Sequence, residues 1–264
     1  MKRFFLLIAL IALTLGYVSG KKGYKARRDF LKPLKVPLLE NDLARCEGIE
    51  ENPVLMLVHL NGGVKGLGRT LDSLKSQDYS NLEILFLNEE ASSLVVDRVK
   101  AFLQESDLNA TIVSGPRSKL SHVAKAHAKR LGDQGVVTYL KGGDWLTNSY
   151  VLKLINLKKV EESFDLLVGQ YVNYPNYEQG MVSKGIRKAI EKCQLPQGKE
   201  ALSSFKALSV PFALNNQSLD LLSIDQKSTF KELLSKAKKK CHFARNVFTV
   251  HNKAGEDEEV LFDQ

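Results

Sequence analysis

The chain has 264 residues, of which 44% are hydrophobic and 26% charged, with a formal net charge of +8. That balance excludes a low-complexity or disordered polymer and suffices for one large core. Three cysteines are too few and too scattered for a disulfide framework or a cysteine-based zinc site.

Met1-Lys2-Arg3 is a basic start, residues 4–18 are apolar, and Val18-Ser19-Gly20 offers small residues for cleavage. Those are the three parts of a signal peptide, expected over residues 1–20. An apolar run of about 15 residues falls short of the ~20 that cross a bilayer, which favours a cleaved signal over a short anchor. The expected location is the secretory pathway, secreted or in the ER or Golgi lumen. The alternative is a type II membrane protein anchored by residues 4–18. Residues 21–53 read as a basic stem or irregular arm, residues 54–250 as the folded domain, and residues 251–264 as an acidic, disordered tail.

Basic side chains cluster at Lys21, Lys22, Lys25, Arg27 and Arg28, and again at Lys236, Lys238, Lys239 and Lys240. They are two solvated faces or, on a sharper reading, weak contacts for a membrane surface or an anionic glycan. No aromatic-plus-basic motif supports nucleic acid as a partner. Asn109-Ala-Thr111 and Asn216-Gln-Ser218 are glycosylation sequons. In an oxidising lumen Cys193 and Cys241 are the preferred pair, with Cys46 left over; alternatively all three are buried thiols.

The folded part opens with Val54 to Leu60, an almost unbroken apolar run that predicts a strand covered on both faces. Asn61-Gly62-Gly63 breaks it, and Leu67, Leu71 and Leu74 then recur at helical spacing. Asp78 to Asn81 is a turn cluster, followed by a second buried strand over residues 82–87. Further along, helices are predicted over residues 91–103, 118–131 and 148–160, and strands over 110–114, 136–140 and 164–171. Beyond Asn173 the pattern weakens: residues 181–192 and 227–240 read as helices, and residues 248–250 as a short strand. Strands alternating with helices predict an α/β, mostly parallel sheet with its ligand site beyond the carboxyl strand ends, at Leu60-Asn61-Gly62 and Leu87-Asn88-Glu89-Glu90.

Within this frame Leu71-Asp72-Ser73-Leu74, Gln77, Tyr79, Asn81 and Glu83-Ile84 resemble the opening of the family 2 glycosyltransferases of the GT-A fold. Ala124-Lys125 resembles that family's Ala-Arg/Lys-Asn helix, residues 139–146 its strand ending in Asp-x-Asp-Asp-x-Leu, and residues 164–169 the strand that follows. The resemblance covers residues 54–169. It implies a nucleotide-sugar donor, a glycan or protein acceptor, and a divalent metal, Mn²⁺ or Mg²⁺, on the diphosphate. Carried over by position, the substrate-binding candidates are Asn61, Asn88, Glu89, Lys125, Lys141 and Asp144. A later carboxylate would serve as base, for which Asp225 is the nearest candidate.

The departures from the family pattern fall on chemistry. Where the family has Asp-x-Asp-Asp this chain has Lys141-Gly142-Gly143-Asp144, leaving Asp144 as the one remaining metal candidate. Lys141 is either a fixed cation facing a diphosphate or a solvated loop residue, and Gly142-Gly143 either an anion nest or a plain turn. Asn88 is a reader of a base edge or a turn residue, and Glu89-Glu90 a binding pair or a charged loop. Asp144 has a structural alternative as support for the turn before Asn148. His59 reads as a satisfied core or edge histidine, and Trp145 as packing beneath the loop. Two functions follow: a sugar transferase using a nucleotide-activated donor, or an inactive descendant kept as a binding or partner-stabilising module. A third is a secreted surface-interaction protein using the basic clusters.

Overall fold

The apolar runs of the first half settle side by side as parallel strands. The computed structural model describes residues 40–60, 65–147, 149–174, 178–180, 212–215 and 240–252, all within the unit Leu39–Gln264. In chain order the elements are α1 (Glu40–Cys46), β1 (Val54–Leu60), α2 (Leu67–Lys75), β2 (Leu82–Asn88), α3 (Ser93–Glu105), β3 (Asn109–Ser114) and α4 (Arg117–Arg130). There follow β4 (Val136–Lys141), β5 (Trp145–Leu146), α5 (Val151–Glu162), β6 (Leu166–Tyr174), β7 (Glu178–Gly180), β8 (Phe212–Asn215) and β9 (Cys241–Asn252).

The strand order is β3-β2-β1-β4-β8-β6-β9-β5, with β7 on β6. β3, β2, β1 and β4 run parallel, whereas β8 is antiparallel to both β4 and β6. The expected mostly parallel α/β sheet is therefore present. Leu55, Met56, Leu57, Val58, Ile84, Leu85, Phe86 and Leu87 are fully buried, as strands covered on both faces require. α4 packs on β1 and β2 through Leu120, Ala124 and Ala128. β3, at the sheet edge, alternates exposed and half-buried residues instead.

The first two strands form where their apolar runs predict, and the helix expected from residue 91 starts at Ser93 because Ser92 Oγ accepts the Val95 N–H. Four expectations are corrected. Residues 40–46, read as part of an irregular arm, are helical: α1 docks on α5 through the Arg45–Glu161 ion pair and the Cys46 Sγ–Lys153 carbonyl contact of 3.7 Å. The short strand expected at residues 248–250 is the 12-residue β9. Its polar residues hide it in the sequence, and pairing with β6 and β5 fixes it. His251 and Asn252, read as the start of the tail, belong to that strand. Lys240 is not helical, and its N–H bonds Asp165 Oδ2 at 2.7 Å.

Residues 181–192, 227–239 and 253–264 lie outside the described residues, as do residues 1–39. Among the described residues no helix is long and apolar enough to cross a membrane. Cys241 is disulfide-bonded and Cys46 is outside any disulfide; the expected partner Cys193 lies outside the described residues.

Candidate functional site

The chain builds β1, β2 and β3 outward in one direction, then returns past β1 to lay down β4 on its other side. Strand order reverses between β1 and β4, and such a reversal opens a crevice at the carboxyl ends of the strands. Those ends carry His59, Leu60, Asn88 and Lys141. His59 is level with Leu87 on β2 and with Lys141 on β4, and Leu60 with Asn88. Side chains level across parallel strands share a face, so His59, Lys141 and Glu89, two residues past Leu87, belong to one face of the sheet. Asn88 and Lys141 thus flank the end of the same strand.

Glu89 is the most heavily engaged group. Its Oε2 lies 3.0 Å from His59 Nε2, while Arg117 Nε and Nη2 donate to Oε1 and Oε2 at 3.1 and 3.2 Å. This two-pronged Arg pair, helped by His59, holds the Glu89 carboxyl below the usual carboxylate range. Arg117 is positioned by Pro116, the extended residue that precedes the first turn of α4.

Asn88 is committed to the turn: its Oδ1 accepts the Ala91 N–H at 2.9 Å, and its Nδ2 donates to Ser114 Oγ at 2.9 Å. The amide expected to read a base edge therefore holds the β2 exit in place. Lys125 lies in the second half of α4. Arg117 marks the rim end of α4, whereas His127 and Arg130 bond Glu83 near the start of β2. Lys125, two residues before His127, lies toward that opposite end.

The loop after β4 is fastened from below by α2. Buried Thr70 donates its hydroxyl to the Asp144 carbonyl at 2.8 Å and accepts the Gly143 N–H at 2.9 Å. Ser73 Oγ accepts the Leu146 N–H at 3.2 Å. Gly142 N–H donates to the His59 carbonyl and Asp144 N–H to the Lys141 carbonyl, each at 2.9 Å. All three backbone donors at 142–144 are spent inside the protein, so the paired glycines form a turn and not an anion nest. Gly143, at φ +94°, takes the left-handed conformation this turn needs. Arg69 lies 4.8 Å over the Trp145 ring, consistent with packing beside the loop.

A divalent metal on this rim would need several oxygen ligands. The loop offers an ammonium, two glycines and Asp144, which is only 6% exposed. Among the described residues no group of three or more His, Cys, Asp or Glu side chains could hold a metal ion. The residues present do not fit the metal that the resemblance implies. Asn61, Asn216 and Asp225 lie outside the described residues. Asn109 is exposed at the start of β3.

Sequence reasoning missed Arg117 and Thr70 and gave His59 a purely structural part. The local signal for Arg117 was Gly115-Pro116-Arg117 ahead of a helix, but its carboxylate partner is 28 residues away.

The architecture superposes on the mannosyltransferase PcManGT from Pyrobaculum calidifontis, solved with GDP-Man and Mn²⁺. The TM-score is 0.53 at 15% identity, covering 91% of this chain and 67% of that one. It superposes equally on residues 1–349 of S. aureus TarS in complex with UDP-GlcNAc, with a TM-score of 0.52 at 17% identity, covering 76% and 58%. The fold is that of GT-A-type glycosyltransferases. In sequence, the chain is 29% identical over 115 residues to the glycosyltransferase GlyA of Streptococcus pneumoniae serotype 4. That match takes in 44% of this chain but only 16% of the relative's length, and this chain spans about three-fifths of the TarS fragment. No family model matches the chain. In this glycosyltransferase-like fold, the strand-order reversal, Glu89 and Lys141 fall together at the carboxyl rim.

Proposed function

We propose that the chain binds a nucleotide-activated sugar at the carboxyl rim between β1 and β4 and transfers the sugar to a glycan or protein acceptor in the secretory pathway. One observation carries this reading: in a glycosyltransferase fold, Glu89 and Lys141 share one sheet face at the point where strand order reverses. Glu89, held ionised and oriented by Arg117 and His59, suits hydrogen bonds from the nucleoside hydroxyls. Transfer breaks the bond between the sugar and the diphosphate while the acceptor oxygen attacks the anomeric carbon. The proton leaves the acceptor for a base, and Asp225 remains the proposed one. The likeness to family 2 in particular, the signal peptide and the glycans at Asn109 and Asn216 belong to the same proposal.

A second reading, a non-catalytic module that keeps the donor fold, is favoured by the composition of residues 141–144. Titrating the full chain with UDP-sugars and GDP-sugars, alongside an assay for free nucleotide release, separates the two. Binding with release supports the transferase. Binding without release supports the module, and the absence of both overturns the donor site itself. Amino-terminal sequencing of the mature protein tests the leader, which is expected to be gone by residue 20.

A further inference from the structure

The rim presents a charge arrangement that the metal-dependent scheme does not explain. Arg117 and His59 both turn to Glu89, so neither is a free countercharge for a bound anion. The backbone donors of residues 142–144 are likewise occupied. Lys141 differs: it is exposed at the end of β4, and among the described residues no carboxylate pairs with it. The hydrogen bond from Gly142 to the His59 carbonyl anchors the next residue, fixing the Lys141 backbone against β1. Lys141 therefore sits at a fixed strand end, on the sheet face that carries Glu89, beside the reversal of strand order between β1 and β4.

We infer that Lys141 takes the place of a divalent cation against the donor diphosphate, so that nucleotide binding at this rim needs no metal. This inference rests on the donor-site reading above. An ammonium supplies hydrogen-bond donors and a full positive charge to phosphate oxygens. Diphosphate carries more negative charge than one lysine neutralises, so the interaction weakens as salt is raised. In transfer the same charge would stabilise the departing diphosphate.

The test is calorimetry of the full chain with UDP and with GDP, once in EDTA and once in Mn²⁺. The expected result is binding in EDTA with an affinity within about threefold of that in Mn²⁺. Lys141→Ala is expected to weaken binding in EDTA by about tenfold or more, whereas Lys141→Arg retains most of it. Lys141 is exposed, so both variants are expected to unfold at the same urea concentration as the parent, which guards against a folding artefact. Binding seen only with Mn²⁺, or unchanged by Lys141→Ala in EDTA, overturns the inference and leaves the donor site standing. No binding of either nucleotide in either condition removes both.

Discussion

Arg117 and Glu89 meet face to face across the sheet rim, two nitrogens of the guanidinium on the two carboxylate oxygens at 3.1 and 3.2 Å, although they stand 28 positions apart in the chain. The pair joins the exit of β2 to the first turn of α4, so one contact fixes a strand end, a helix start and a carboxylate in the crevice.

The consequence for pH follows from the sign of the shift. Glu89 titrates below its ordinary range in the folded protein, chiefly because Arg117 donates to it. The stability this supplies is complete above the unfolded carboxyl pKa and is lost as pH falls through the lower folded value. Arg117→Ala is expected to return the Glu89 carboxyl toward its ordinary range, read by carboxyl-carbon NMR across an acid titration. Because the pair is partly solvated, the accompanying loss of stability at neutral pH is about 0.5–1 kcal/mol, shrinking toward zero in acid. An unchanged Glu89 titration would refute the assignment.

Thr70 offers a test of the loop itself. Its hydroxyl satisfies a carbonyl and an N–H at once, in a fully buried position. Thr70→Val keeps the volume but leaves both groups unpaired, for an expected cost of about 2–3 kcal/mol in urea unfolding. Thr70→Ser keeps the hydroxyl and is expected to cost about 1 kcal/mol, the loss of a buried methyl. If the two variants are equally stable, the hydroxyl does not hold the loop.

Lys159 makes a prediction of opposite sign. It is only 8% exposed and lines a groove of about 620 Å³ with Glu50, Asn52 and Asp133, at the edge of the domain away from the rim. Burial holds its ammonium below the ordinary pKa of 10.5, against the pull of Asp165 and Asp133. A folded pKa below the unfolded one penalises the native state at neutral pH, and the penalty fades as pH rises toward 10.5. Lys159→Met is expected to raise stability by roughly 1 kcal/mol at neutral pH and by less near pH 10, measured by thermal unfolding at both values. A destabilised variant at neutral pH would show instead that the ammonium has favourable partners.

The parallel half of the fold was legible because each strand carries its burial in its own residues. Val54 to Leu60 is apolar almost throughout, and its ends coincide with those of β1. The mixed half was not, since β5 is two residues long and β9 contains His242, Arg245 and Asn246. Their strand character comes from partners elsewhere in the chain. The site divides along the same line. Glu89 and Lys141 were visible as strand-end residues, but how their neighbours spend their hydrogen bonds was not. The Asn88 amide and the paired glycines are taken up by turns, while His59 and Arg117 converge on Glu89. Such commitments depend on register between strands, which no local pattern encodes.

β9 has a bearing on how the protein is made. It lies between β6 and β5, and β5 follows directly on the loop that ends in Asp144. During synthesis β1, β2, β3 and β4 find partners among one another within residues 54–141, whereas Trp145 and Leu146 must wait for Thr249 and Val250 before they have a neighbour to pair with. Any lesion that stops translation before that late strand would leave β5 and β6 without the neighbour they share, however well the first half had folded.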